Sequence, residues 1–406
     1  MACKCLICEE ELFEVTSFGK NPIANGFLTK NDFHQEYFFS LDCMFCDNCK
    51  MFQLKNTPDK EKMFNENYAF FSGTSLYMTN HFKNFAEHLR DEYLTDKSQL
   101  IVEIGCNDGI MLQNFNEWGY NHIGIEPSKN VADISIKKGL NIVNEFFDKK
   151  LAKEIVASNG KADLFVAANV MCHIPYFNSI IEGIDELISH NGIVVFEEPY
   201  LGDVIKKTTY DQIYDEHTFL FSITSINNAF KKFEMNVFHA ERQTTHGGSM
   251  RYYICRVGEK TISKELKDLL SDEIDLGLDK LEIIKNFDAK CKNHKKEFKD
   301  LLEKIKSENK SIVGYGATSK STTVLNYCNI GSDLINCIYD NTPTKINKFS
   351  PGKHIPIIDS KEFINEPADY TVLFAHNHSK EILEKEKDYS AKGGKWILFD
   401  DTIRII

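Results

Sequence analysis

The chain has 406 residues, enough for two or three domains at roughly 150 residues each. Apolar residues make up 42% and charged residues 27%, the balance of a folded globular protein, so extensive disorder is excluded. Acidic residues number 60 against 48 basic, and the resulting net charge of −12 excludes a general nucleic-acid or anionic-membrane binder. No apolar run reaches the ~18 residues needed to cross a bilayer, and Met1 to Glu10 carry no signal core, so the expected compartment is the cytoplasm. In that compartment the twelve cysteines are not expected to form a disulfide framework.

Six cysteines crowd the first fifty residues: Cys3, Cys5, Cys8, Cys43, Cys46 and Cys49. Cys5 with Cys8, and Cys46 with Cys49, form two CxxC knuckles. Each presents two thiolates from one tight turn, and two turns complete a tetrahedral zinc shell. The 37 residues between the knuckles exceed the usual ribbon spacing, so a small domain must fill them. Cys3 and Cys43 could replace members of the set. Four cysteine ligands leave no open coordination position, which predicts a structural Zn2+ rather than a catalytic one. A redox CxxC is the competing reading, and the presence of two knuckles weighs against it. Strand-like runs at 38–41 and 51–54 flank the second knuckle, and Thr57 to Lys60 read as a closing turn. Phe82, Phe85, Leu89 and Tyr93 are spaced for a helix over 78–93.

From 98 to 255 short apolar strands at 100–104, 122–126, 164–167 and 193–196 alternate with helical segments, the pattern of a parallel sheet. Glu103, Gly105, Asp108 and Gly109 form the first turn. It is not the G-x-G-x-x-G of a dinucleotide site. An acid two residues before the first glycine, with a wider loop, suits a ligand carrying an amine and a carboxylate. Glu126 ends the second strand, where a carboxylate accepts ribose hydroxyls in doubly wound folds. The pair resembles class I S-adenosylmethionine (SAM) methyltransferases; the alternative is an α/β domain for another nucleotide cofactor.

Tyr214, Glu216 and His217 lie together in one polar stretch. Histidine is the natural base near neutral pH, a carboxylate could orient it, and a phenol can stabilise an oxyanion. The bland alternative is a surface histidine on a polar helix. His173 follows a sheet strand, at the end that lines the crevice of open α/β sheets. His246, Gly247, Gly248 and Arg251 form a glycine turn that lets a substrate approach the backbone, or simply a tight hairpin. Residues 259–310 read as one or two long helices with solvated charged faces. A second α/β unit starts at Ser311. Gly314, Gly316 and Ser319 nearly form a dinucleotide fingerprint, with Asp340 about twenty residues on. Lys320 near the following helix start could meet a diphosphate.

In one order, these motifs make the chain similar to the three-domain sugar C-methyltransferases that act on C3 of nucleotide-linked 4-keto-6-deoxy sugars. The shared motifs run from the paired CxxC domain with Pro22 to Asn25, through Tyr68 to Ser75 with Met78 and His81, and on to Glu103–Gly109 and Gly124–Pro127. They continue with Asn169 and His173, Tyr214–His217, His246–Arg251, Gly314–Lys320 and Ser350–Pro356. The resemblance implies an α/β protein with a small zinc-binding domain at 1–62, a class I methyltransferase Rossmann-like domain at 63–258, and linker helices with a second Rossmann-like domain at 259–406. It implies His217 as the base that takes the C3 proton, with Glu216 supporting it and Tyr214, with His173, steadying the oxyanion at O4. SAM would rest on Glu103, Gly105, Asn107, Asp108, Gly109, Glu126 and Asn169. Tyr68, Ser75, His81, His246, Arg251, Lys320 and His354 would contact a nucleotide sugar, with TDP the leading nucleotide and GDP the next. The zinc would be structural on Cys5, Cys8, Cys46 and Cys49, and the protein a monomer. The alternative is a zinc-containing NAD-dependent sugar-nucleotide oxidoreductase, carried by the glycines at 314–316. The chain departs from the family at Phe70 and Gly73, where Tyr and Ser are common, and at Ala375–His378, where the family often has Trp-Asn.

Overall fold

A computed structural model describes residues 3–58, 76–365, 367–400 and 402–406. Three sheets organise the described residues. The first is antiparallel and carries the knuckles. Strand β1 (Leu12–Pro22) pairs with β2 (Phe38–Cys46) from Leu12 opposite Cys46 to Pro22 opposite Phe38. This ribbon therefore has the cysteines at one end and the turn after Pro22 at the other. Strand β3 (Phe52–Leu54) continues the sheet, which is closed by a strand from much later in the chain, as described below. Helix α1 spans Leu76–Tyr93, and its apolar spacing buries Phe82, Phe85 and Leu89.

The central sheet contains β4 (Leu100–Ile104), β5 (Asn121–Ile125), β6 (Ile142–Val143), β7 (Ala162–Ala168) and β8 (Ile188–Pro199), all parallel. All five residues of β4 are buried, which is why the strand reads as an apolar run without alternation. Strand β9 (Phe219–Leu220) leaves this unit and pairs with β3 of the first sheet. The antiparallel strands β10 (Met235–Gln243) and β11 (Ser249–Arg256) complete the seven-stranded order β10-β11-β8-β7-β4-β5-β6. The order reverses between β4 and β7, so the crevice beyond their carboxyl ends is where a ligand fits.

Helices α2 (Lys264–Leu276) and α3 (Leu281–Ser307) connect to the third sheet. Helix α3 buries Ile284, Phe287, Cys291, His294, Phe298, Leu302 and Ile305, one residue per turn on one face. Each full burial of Ile, Leu or Phe contributes about 1.5–3 kcal/mol, which fixes this long helix to the body. The third sheet has β12 (Ile312–Tyr315), β13 (Ile338–Asp340), β14 (Ile357–Asp359), β15 (Tyr370–Leu373), β16 (Lys395–Leu398) and β17 (Arg404–Ile405), in the order β14-β13-β12-β15-β16-β17. It reverses between β12 and β15, and α4 (Ser319–Tyr327) starts at that point. A strand over 334–340 is only half realised. The N–H groups of Leu334 and Ile335 bond back to Gly331 O, so the chain turns until Ile338.

Candidate active site

The turn after β4 brings Gly105 to φ +59, where a Cβ would overlap Val170. Only glycine fits that position. Glu103 is buried, and its Oε2 has no hydrogen-bond partner. Burial pushes its carboxyl well above the usual range, and Asp108 and Glu126 add to the effect. Glu126 accepts from Ser128 N at 2.8 Å and Asn107 N at 3.1 Å, tying the ends of β4 and β5 together. Three acids held together away from water would be relieved by a cation. The amine and sulfonium of SAM meet that requirement, and the glycine turn leaves room for them, so these residues fit the cofactor. Gly105, Asn107, Glu126 and Asn169 line a cavity of about 380 Å³. Glu103, Asp108 and Gly109, also expected at the cofactor, do not line it. Asn169 is held at φ +56 with its N–H on Glu197 O at 2.8 Å, and its buried Oδ1 has no partner.

Tyr214, Glu216, His217 and His173 line the same cavity. His217 Nδ1 bonds to Gln212 O at 2.6 Å, and a carbonyl can only accept. Nδ1 therefore carries the proton, and Nε2, 2.8 Å from Tyr214 Oη, presents a lone pair. Burial pushes His217 well below 6.5, helped by His173 and Lys320, so the imidazole is neutral. His173 stacks on it at 5.3 Å and is itself lowered to about 4 by burial. Glu216 does not orient His217: its Oε1 accepts from Asn25 Nδ2 at 2.7 Å, and the carbonyl of Gln212 fixes the imidazole instead. Burial raises Glu216 to about 7, against the pull of Asn25 and Lys345.

His246 also reaches the cavity, from a strained backbone at φ +53, and burial lowers it to about 3. Its carbonyl accepts from Gln212 Nε2 and, at 2.9 Å, from Lys320 Nζ. Lys320 lies in the first turn of α4, whose cap Thr318 accepts from Ser321 N at 3.1 Å; burial lowers the ammonium to about 8, with Asp211 opposing. Thr318, Ser319, Ala375, Asn377 and His378 complete this end of the cavity. His376 turns away to Asp211 at 2.7 Å, and Lys345 bonds to Ala317 O.

Three expected substrate contacts stand elsewhere. His81 and Arg251 do not line the cavity; both bind Glu197, at 2.8 Å each, in a buried ion cluster that also takes the Thr245 hydroxyl at 2.8 Å. That clamp joins α1, β11 and the turn carrying His246, and Glu197 had no motif to reveal it. His81, the Arg251 cation and hydrogen bonds offset burial and hold its carboxyl down to about 2. His354 stacks on Phe33 at 3.7 Å and bonds to Glu36 at 2.7 Å, away from the cavity. Its Nε2 is taken up by the first domain. Tyr68 and Ser75 lie outside the described residues.

At the far end of the β1–β2 ribbon, Cys5, Cys8, Cys46 and Cys49 converge with all four Sγ within 4.8 Å. The Cys5–Cys49 and Cys8–Cys46 pairs lie at 3.5 and 3.4 Å. A zinc–sulfur distance of about 2.3 Å puts tetrahedral sulfurs about 3.8 Å apart, so the set fits Zn2+ with no position left open. Cys3 and Cys43 are not in the cluster.

Fold and site together define a SAM-dependent methyltransferase with a structural zinc module. Comparison with known proteins agrees over nearly the whole chain. Residues 5–64 match a putative zinc binding domain, 74–240 a methyltransferase domain, and 244–399 a C-methyltransferase C-terminal domain. The C-methyltransferase NovU of Streptomyces niveus is 25% identical over 406 residues, covering 99% of this chain and 96% of that protein. Magnesium protoporphyrin IX methyltransferase from Synechocystis PCC 6803, solved with SAH, is 13% identical at a TM-score of 0.36, covering 45% of this chain and 88% of that one, too distant to carry weight. Over nearly its whole length the chain is therefore similar to zinc-containing, SAM-dependent C-methyltransferases. The methyltransferase matches displace the oxidoreductase reading. Among the described residues no helix is long and apolar enough to cross a membrane.

Proposed function

We propose that the protein methylates C3 of a nucleotide-linked 4-keto-6-deoxy sugar, with TDP the leading nucleotide, in cytoplasmic deoxysugar biosynthesis. The observation that carries this reading is the neutral His217, its Nε2 lone pair facing Tyr214 Oη in a cavity shared with the Gly105 turn. A 4-keto group acidifies the proton on C3. An arriving carbonyl competes for the Tyr214 hydroxyl hydrogen, which frees the His217 lone pair. Nε2 then takes the C3 proton, the C3–H electron pair becomes the enolate, and negative charge gathers on O4. Tyr214 donates to that oxyanion. His173, neutral and stacked on His217, borders the same space. An ionised Glu216 in the same cavity offsets the imidazolium that forms. SAM, when bound, supplies the electrophilic methyl that the enolate carbon takes up. At the other end, Lys320, the start of α4 and His246 offer a cationic, N–H-rich surface suited to the diphosphate.

Mass spectrometry after incubation with SAM and TDP-, GDP- and CDP-4-keto-6-deoxyhexoses tests the proposal. One sugar nucleotide should gain a single methylene mass, with labelled-methyl NMR placing the group on C3. Measurable SAM binding with no gain on any of them would reject the sugar as acceptor.

A further inference from the structure

The zinc module does more than fold beside the catalytic domain. Its sheet is completed by β9, which begins two residues after His217: Phe52 pairs with Leu220, and Leu54 N donates to Thr218 O at 2.8 Å. The other side of the catalytic loop is held by the tip of the β1–β2 ribbon. Ala24 N donates to Asp215 Oδ1 at 2.8 Å, and Asn25 Nδ2 to Glu216 Oε1 at 2.7 Å. The same tip reaches the third domain. Thr322 Oγ1 donates to Ala24 O at 2.9 Å, and Ser319 Oγ to Asn25 Oδ1 at 3.3 Å. Asn25 thus uses both ends of its amide, one on each neighbouring domain, and lines the cavity between them.

We propose that Asn25 is a positioning residue of the active site: the zinc module inserts it between the catalytic loop and the start of α4, where its amide orients the Glu216 carboxylate and favours its ionised form. The inference rests on the proposed role of Glu216. A carboxylate is a better acceptor than a carboxylic acid, so a fixed N–H donor favours the charged form. An asparagine suits the place because its amide donates to one partner and accepts from the other. A carboxylate there could not donate to Glu216, and an alanine would leave it with one fewer bond. The opposite end of the ribbon is the four-cysteine cluster, so Zn2+ held there would anchor the base of the strand pair whose tip enters the active site.

The test is Asn25→Ala in the full-length zinc-loaded protein, with Ser319→Ala as a milder cut at the other end of the amide. The Glu216 carboxyl is titrated by infrared difference spectroscopy, its band assigned with Glu216→Gln; this readout needs no sugar substrate. In Asn25→Ala the Glu216 midpoint should move to higher pH, zinc content and SAM affinity should stay at wild-type values, and kcat should fall about tenfold with little change in KM. Ser319→Ala should shift the same band in the same direction, by less. An unchanged Glu216 midpoint in a folded, zinc-loaded Asn25→Ala would overturn the proposal. If Asn25→Ala fails to fold, the Ser319→Ala titration decides, and an unmoved band there rejects the idea. A shifted midpoint in a protein that methylates no keto sugar would leave the role of Asn25 intact and reject the substrate reading instead.

Discussion

Two glycine turns face the same cavity, and they are built alike. Each follows the first strand of a parallel sheet at its point of reversal. Gly105 and Gly316 hold φ +59 and +90, and a Cβ on either would meet a neighbour, Val170 or Ala375. Each turn is tied to an acid at the end of the next strand: Asn107 N donates to Glu126, and Ala317 N to Asp340 at 2.7 Å. The difference is charge. The first turn is backed by buried Glu103 and Asp108, the second by buried Lys320 at a helix start. The backbone device is shared, and under the proposed function the adjoining charges choose the ligand: a cationic cofactor at one turn, an anionic substrate at the other.

His217 lines the same cavity and belongs to neither turn, so its loss should affect turnover and neither ligand. His217→Ala is expected to lower kcat by about 100- to 10,000-fold while SAM affinity by calorimetry is unchanged. Lost SAM binding would make the residue a structural part of the first turn. Gly105→Ala should act on one side only. A Cβ at positive φ against Val170 is expected to weaken SAM about 100-fold and leave nucleoside diphosphate affinity alone. Lys320→Met is the mirror test, with KM for the nucleotide sugar rising about tenfold and SAM affinity holding. Equal losses of both ligands in either variant would break the comparison. The smallest expected effect is on pH dependence. Glu216 at about 7 should set the acid limb of kcat/KM in the wild type, because protonation below that value removes its charge. In Glu216→Gln the plateau should be lower and the limb should move below 6.5, where His217 takes a proton.

The sequence made local features legible because their spacing carries the chemistry. Each CxxC knuckle, the Gly105 turn and the Tyr214–His217 stretch are contained in a few adjacent residues. What it did not make legible depends on distant pairing. His81 and Arg251 read as substrate contacts, yet a glutamate 54 residues before Arg251 holds both. His354 read the same way until the first domain's Glu36, 318 residues earlier, took its Nε2. The two-residue β9 gave no strand signal, since its pairing with β3 reaches back across all of β4 to β8. Glu216 beside His217 suggested a contact, yet His217 is held by Gln212 O and Tyr214, and Asn25 from the zinc module donates to Glu216.

The claim that His217 generates the nucleophile is tested most directly by proton exchange without methyl transfer. A TDP-4-keto-6-deoxyhexose, incubated in D2O with the protein and S-adenosylhomocysteine, is followed by proton NMR. The account predicts that the C3 signal is lost with the wild-type protein and kept with His217→Ala. Equal exchange with both proteins, or none with a wild type that methylates the same sugar, would contradict it.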